Sequence, residues 1–175
     1  MNMSLHKLID LAFEEDLAAS GDITTDALVN PALPGHGFIT AKEDLVIAGL
    51  NVAEAVFNRL DSGIVFSANC ADGDFVPKGE EVLTVDGPFA ALLKGERTAL
   101  NFIQRLSGIA THTREYTQTI ADLHTKLADT RKTTPGWRAL EKNAVRLGGG
   151  TNHRMGLYDG ILIKDNHIKA CGGDI

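Results

Sequence analysis

Apolar and polar positions follow two rhythms along this chain. From Ser4 to Leu17, Leu5, Leu8, Ile9, Ala12 and Phe13 recur at three- and four-residue spacing with acids between them, which predicts a helix. Asp22–Leu28 and Asn30–Gly35 read as loop and turn. Gly37–Lys42 and Leu45–Gly49 read as two short strands around an acidic turn at Glu43 and Asp44. Asn51 is placed to cap a helix reaching Leu60, with Ala53, Val56, Phe57 and Leu60 on one face. Ile64–Ala68 and Val82–Val85 read as further strands, separated by turns at Asp72–Asp74 and Pro77–Glu80.

Past Pro88 the rhythm changes. Phe89, Leu92, Leu93, Leu100, Ile103 and Leu106 form a helical stripe, which Ser107-Gly108 should weaken before a second helical run through Ile120 and Leu123. Lys126–Thr130 predicts a short strand. Thr134-Pro135 then opens a helix carrying Trp137, Leu140, Ala144 and Leu147 on one side, stopped by Gly148–Gly150. Gly160–Ile163 reads as a buried strand. The first part is thus α+β, and the second reads strand, helix, strand, the opening of a parallel βα array.

Composition narrows the class. Of 175 residues, 43% are apolar and 23% charged, ordinary for a globular protein and unlike a disordered, collagenous or disulfide-built chain. No apolar run approaches the ~18 residues that cross a bilayer. The N-terminus turns acidic at Glu14, Glu15 and Asp16 and has no signal-peptide pattern. Cys70 and Cys171 fit no metal or redox spacing, so a reducing, cytoplasmic setting is expected.

Charge is unevenly spread. Residues 1–96 hold 5 Lys and Arg against 16 Asp and Glu; residues 97–175 hold 12 against 7. An anionic ligand belongs with the second part. Nucleic acid is disfavoured, because the cations do not run together and aromatics are only 6%.

Three polar clusters carry the candidate chemistry. Asp129–Thr133, with Arg131 and Lys132, lies between a strand and a helix start, where βα proteins bind ligands and where helix N–H groups favour anions. Gly148–Arg154 brings His153 and Arg154 behind three glycines. Lys164–His167 follows the Ile161–Ile163 run. Singly, each also fits a plain helix entry, surface loop or polar turn. Together they gather Arg131, Lys132, His153, Arg154 and Lys164 with few acids. At ~4 Å and an effective dielectric of ~20, each like-charge pair costs roughly 4 kcal/mol before solvation. Such a site calls for a ligand with several negative groups, a dicarboxylate or a pyrophosphate. Ser/His/Asp and metal-His spacings are absent, and the glycines fit neither the P-loop nor the dinucleotide pattern.

At these residues the chain resembles the quinolinate phosphoribosyltransferases, the carboxylating nicotinate-nucleotide pyrophosphorylases. The matching strings are Gly21–Leu28, Glu96–Thr111, Asp129–Gly136, Arg138–Lys142, Ala144–Arg146, Gly148–Gly150, Asn152–Arg154, Gly156–Asp159 and Ile163–His167. Trp137 stands where the resemblance leads one to expect leucine. The resemblance implies phosphoribosyl transfer from phosphoribosyl pyrophosphate to quinolinate with decarboxylation, giving nicotinate mononucleotide, pyrophosphate and CO2 in NAD synthesis, with Mg2+ on the pyrophosphate. It implies that Arg131, His153, Arg154 and Lys164 hold the quinolinate carboxylates. Lys132 and Lys164 would be the catalytic contacts to the phosphoribosyl donor. Arg97 would reach the neighbouring subunit's site in a homodimer or higher homo-oligomer, with neither nucleic acid nor membrane as partner.

The implied fold is an α/β one: an α+β, hammerhead-like N-terminal domain over residues 1–107, then the first βα units of an open, TIM-like α/β barrel over 108–175. A complete barrel needs ~200 residues. The sequence therefore reads as an N-terminal fragment, lacking the later acids that help hold Mg2+ and ribose and expected to be inactive alone. No metal ligand is expected within it. Two alternatives share part of this pattern: the molybdenum-transport-associated paralogue of the same fold, and a non-catalytic hammerhead binding module suggested by the turn-rich Asp72–Leu83 stretch.

Overall fold

The computed structural model describes residues 3–173. Its elements are α1 (Met3–Leu17), α2 (Ile23–Leu28), β1 (Pro34–Thr40), β2 (Leu45–Val46), α3 (Leu50–Leu60), β3 (Val65–Ala68), β4 (Phe75–Val76), β5 (Glu81–Pro88), α4 (Phe89–Thr119), α5 (Arg138–Leu147) and α6 (Asp165–Ala170). β5 is the centre of an antiparallel three-stranded sheet in the order β1-β5-β3, with Val85 opposite both Gly37 and Phe66. β2 and β4 form a separate antiparallel pair. The short strands at Gly37–Lys42 and Leu45–Gly49 thus join different sheets, not each other.

The core lies between this sheet, α3 and α4. Val82, Leu83 and Val85 of β5 meet Val52, Ala53, Val56 and Phe57 of α3 and Leu92, Ala99, Phe102, Ile103, Leu106 and Ala110 of α4, all buried. Leu5 and Ile9 of α1 close one side.

Four local expectations change. Residues 23–28 are a helix, not a loop, because the Asp22 carboxylate caps them. It accepts from Thr24 N–H (3.1 Å), Thr25 N–H (2.9 Å) and the Thr25 hydroxyl. Six residues are too few for a periodicity to show. Asn51 lies inside α3 and does not cap it; Asp72, from a distant turn, accepts from Gly49 N–H (2.8 Å) and Leu50 N–H (3.0 Å).

The third change is at Ser107-Gly108, where α4 runs unbroken. Ser107 Oγ accepts from Ala48 N–H (3.0 Å), and a Cβ on Gly108 would meet nothing within 4 Å. Glycine there costs only ~1 kcal/mol of helix propensity, while Leu106 and Ala110 stay buried on the other side.

The fourth concerns the βα array. The strand that returns after α5 is at Thr151, paired in parallel with Ala128, rather than at Gly160–Ile163. That apolar run forms no strand and is unpaired among the described residues, with Ile161 95% exposed. α5 also begins later than Thr134, because Gly136 at φ +82° holds the preceding residues in a turn closed by Trp137 N–H to Thr134 O (3.0 Å).

Candidate active site

The parallel bridge organises the cationic residues. Asp129 N–H donates to Thr151 O (3.0 Å) and Thr151 N–H to Leu127 O (2.8 Å). With α5 as the crossover this is a minimal βαβ unit, and its two strand ends lie side by side. Arg131 and Lys132 follow one end; His153 and Arg154 follow the other. His153 and Arg154 therefore sit at a strand's carboxyl end, where βα proteins place ligands, rather than in a loop that merely stops a helix.

Asp129 ties the unit together. Its side chain is 7% exposed. Oδ1 accepts from the Lys142 ammonium and from His153 N–H (2.8 Å), and Oδ2 accepts from Asn152 Nδ2 (2.7 Å). Lys142, 1% exposed, also donates to His153 O (3.0 Å), and Asn152 Nδ2 donates to Lys142 O (2.8 Å). Sequence reasoning missed Lys142. It lies two residues before Ala144, roughly 160° around the helix from the apolar stripe, where a surface helix shows solvent-facing residues. Here that side of α5 faces the strand ends. Burial on both sides of the helix is the signal that periodicity alone does not give.

A second pair steadies the loop after the first strand. Arg105 of α4 donates to Glu141 Oε1 from Nε (3.1 Å) and from a terminal nitrogen (2.7 Å), and Thr134 N–H donates to Oε2 (3.1 Å). Burial raises the Glu141 pKa, but the Arg105 and Thr134 donors outweigh it and hold the carboxyl below its usual range. Arg138 Nε donates to Thr133 Oγ1 (3.0 Å), and a terminal nitrogen donates to Met155 O (3.3 Å).

The expected site residues differ in burial and in hydrogen-bond partners. Arg131 is half-buried, and its Nε is buried with no hydrogen-bond acceptor among the described residues. Lys132 is exposed, its N–H on Thr130 Oγ1 (3.1 Å). His153 is exposed, and its Nδ1 accepts from Arg154 N–H (2.8 Å), which leaves Nε2 as the donor of the neutral ring. The Arg154 guanidinium donates to Gly160 O (2.7 Å). Asp159 accepts from Met155 N–H (2.6 Å) and Gly156 N–H (2.8 Å); these bonds, the Gly156 one foremost, keep its carboxyl below the ordinary value. Lys164 lies at the start of α6, exposed, its N–H on His167 Nδ1 (2.9 Å). Arg97 is exposed on α4. Among the described residues no hydrogen bond ties Lys164 or Arg97 to the other four. The groove of about 530 Å³ between Ile39–Leu45 and α4 contains none of these cations.

No group of three or more His, Cys, Asp or Glu among the described residues is placed to hold a metal ion. At the strand ends the Asp129 oxygens are taken by Lys142, Asn152 and His153. Asp129 is therefore left without a free oxygen for Mg2+ among the described residues.

The fold and the cluster define a βα protein with a cationic site at its strand ends, joined to an α+β N-terminal part. Residues 22–107 match the family model described as quinolinate phosphoribosyl transferase, N-terminal domain, and residues 109–175 match the C-terminal domain. The chain belongs to the quinolinate phosphoribosyltransferase family.

It is 49% identical over 171 residues to the probable carboxylating nicotinate-nucleotide pyrophosphorylase of Bacillus subtilis, covering 98% of this chain and 58% of that protein. It is 42% identical to a decarboxylating quinolinate phosphoribosyltransferase of Nicotiana glauca, over 97% of this chain and 48% of that one. The crystal structure of NadC from Streptococcus pyogenes superposes with TM-score 0.93 at 42% identity, over 98% of this chain and 61% of that one. The chain thus spans about half the length of the curated relatives it matches. No helix among the described residues is long and apolar enough to cross a membrane.

Proposed function

We propose that these strand ends bind quinolinate and serve phosphoribosyl transfer with decarboxylation in a cytoplasmic protein of the relatives' full length. The observation that carries this reading is the buried Nε of Arg131, without an acceptor among the described residues, at strand ends that also carry Lys132, His153 and Arg154. A dicarboxylate supplies the missing acceptors, and a carboxylate takes a forked guanidinium well.

In this reading Arg131, His153 and Arg154 hold the two carboxylates, so that the ring nitrogen faces the anomeric carbon of the phosphoribosyl donor. The nitrogen's lone pair forms the new bond as pyrophosphate departs with the old pair. Lys132 and Lys164 stabilise the charge gathering on that leaving group. The 2-carboxylate then leaves as CO2, and its electron pair neutralises the quaternised ring before a proton replaces it. Mg2+ enters as counter-ion of the pyrophosphate, without a ligand from the described residues. Arg97 reaches a second subunit's site in a dimer, and its exposure on α4 leaves it available for that contact.

Calorimetric titration of the 175-residue chain tests the binding half. Quinolinate should bind at least ~10-fold tighter than nicotinate, since one carboxylate fewer leaves buried positive charge unpaired. Equal affinities would overturn the substrate assignment. Nicotinate mononucleotide formation by the full-length protein tests the chemistry.

A further inference from the structure

We propose that Lys142 is the internal counter-charge of the anion site. It silences the Asp129 carboxylate, so that the strand ends show a ligand positive charge alone. This rests on the reading of the strand ends as an anion site. Asp129 lies at the root of both clusters: the cations Arg131 and Lys132 follow it along the chain, and the N–H of His153, the neighbour of the cation Arg154, binds its Oδ1 at 2.8 Å. Uncompensated, it would repel any dicarboxylate or pyrophosphate held by those cations.

Lys142 meets it at 1% exposure. A fully buried ammonium is costly unless paired and hydrogen-bonded. α5 does not need it for packing, because Leu140, Ala144 and Leu147 already seat the helix against the core. What the ammonium adds, and a methyl group cannot, is charge. It also donates to His153 O at 3.0 Å, so the pair grips the backbone of His153 at both its N–H and its carbonyl. The Arg105–Glu141 pair differs. Arg105 is half exposed, and its partner's second oxygen is spent on the Thr134 N–H.

The test uses sulfate, a dianion throughout the neutral range, titrated into the 175-residue chain and its variants. Lys142→Gln leaves Asp129 charged and should weaken sulfate binding about 10-fold or more. Asp129→Asn keeps an acceptor oxygen for Lys142 and for His153 N–H but removes the negative charge. It should tighten sulfate binding by about 3-fold or more. The double variant should bind within about 3-fold of the unsubstituted chain. If Lys142→Gln does not fold, the sign of the Asp129→Asn effect and the double variant decide.

A purely structural pair would make Asp129→Asn weaken binding just as Lys142→Gln does, and that result overturns the proposal. Absence of sulfate binding by the unsubstituted chain overturns it too. Failure of quinolinate to displace bound sulfate would instead strike the substrate reading, with the sulfate series still deciding Lys142.

Discussion

The rings of Phe102 and Trp137 are stacked, 4.6 Å between centroids and 20° between planes. Phe102 is 2% exposed in α4, and Trp137 stands at the entry to α5. Trp137 is the chain's one tryptophan, so its emission reports the docking of α5 on α4. Trp137→Leu, the residue the family resemblance leads one to expect, should cost about 1 kcal/mol, the worth of an aromatic pair beyond its area. Phe102→Ala should cost about 3–5 kcal/mol and shift the emission to the red. Chemical denaturation followed by far-ultraviolet circular dichroism measures both losses, and tryptophan fluorescence reads the emission shift in Phe102→Ala.

Gly148 and Gly108 should respond to alanine in opposite directions. A Cβ on Gly148 would lie 2.3 Å from Ala110 O and 2.6 Å from Thr113 Cβ, so Gly148→Ala forces α4 and the end of α5 apart. The expected loss is about 1–3 kcal/mol or more. Gly108→Ala meets nothing within 4 Å and should gain about 0.5–1 kcal/mol from helix propensity. Thermal melts of the two variants are the check.

Glu141 makes the fold acid-sensitive. Its folded pKa lies below the ordinary 4.5, so its stabilisation is fully present above 4.5 and is lost as pH falls through the lower folded value. Glu141→Gln should therefore melt lower than the unsubstituted chain near neutral pH, by no more than about 1.5 kcal/mol since Arg105 is half exposed. The gap should narrow as pH drops below 4.5. A gap independent of pH would show that the loss is steric.

Arg131→Ala should weaken quinolinate binding by about 1.5–3 kcal/mol, the worth of charge-assisted hydrogen bonds, with a small change in melting temperature. Its Nε has no acceptor among the described residues, so little stability goes with it. Calorimetry and a melt on the same sample separate the two effects.

Asp72→Ala should destabilise α3 by about 1 kcal/mol, because Gly49 N–H and Leu50 N–H lose their acceptor. Hydrogen exchange at those two amides should rise more than elsewhere in the helix.

Long helices were legible in the sequence because their apolar stripes report burial on one side. The α+β character of the first part and the βα character of the second followed from the same rhythm. What stayed hidden depended on contacts distant along the chain. Asp72 caps α3 from another turn, and β1 and β2 pair with strands far downstream. The return strand at Thr151 escaped notice because polar residues and glycines surround it, while the more apolar Ile161–Ile163 carried the expected pattern without a partner among the described residues. At the candidate site, residue type located the cations, since Arg131, Lys132, His153 and Arg154 fall beside glycines and strand ends. The pair of Asp129 with Lys142 needed coordinates, because a lysine opposite an apolar stripe reads as solvated.

The unbroken run of α4 bears on how the chain loses its structure. The helix is 31 residues long, about 46 Å at 1.5 Å per residue. It packs on α3, β1, β2 and β5 and also on α5, so both family-matched regions draw on one rod for their cores. Neither can melt without exposing apolar surface that the other also covers. Heating should accordingly give a single cooperative transition, with calorimetric and van't Hoff enthalpies in agreement. The most durable amides in hydrogen exchange should lie in the middle turns of α4, around Phe102 and Leu106, where the two halves overlap.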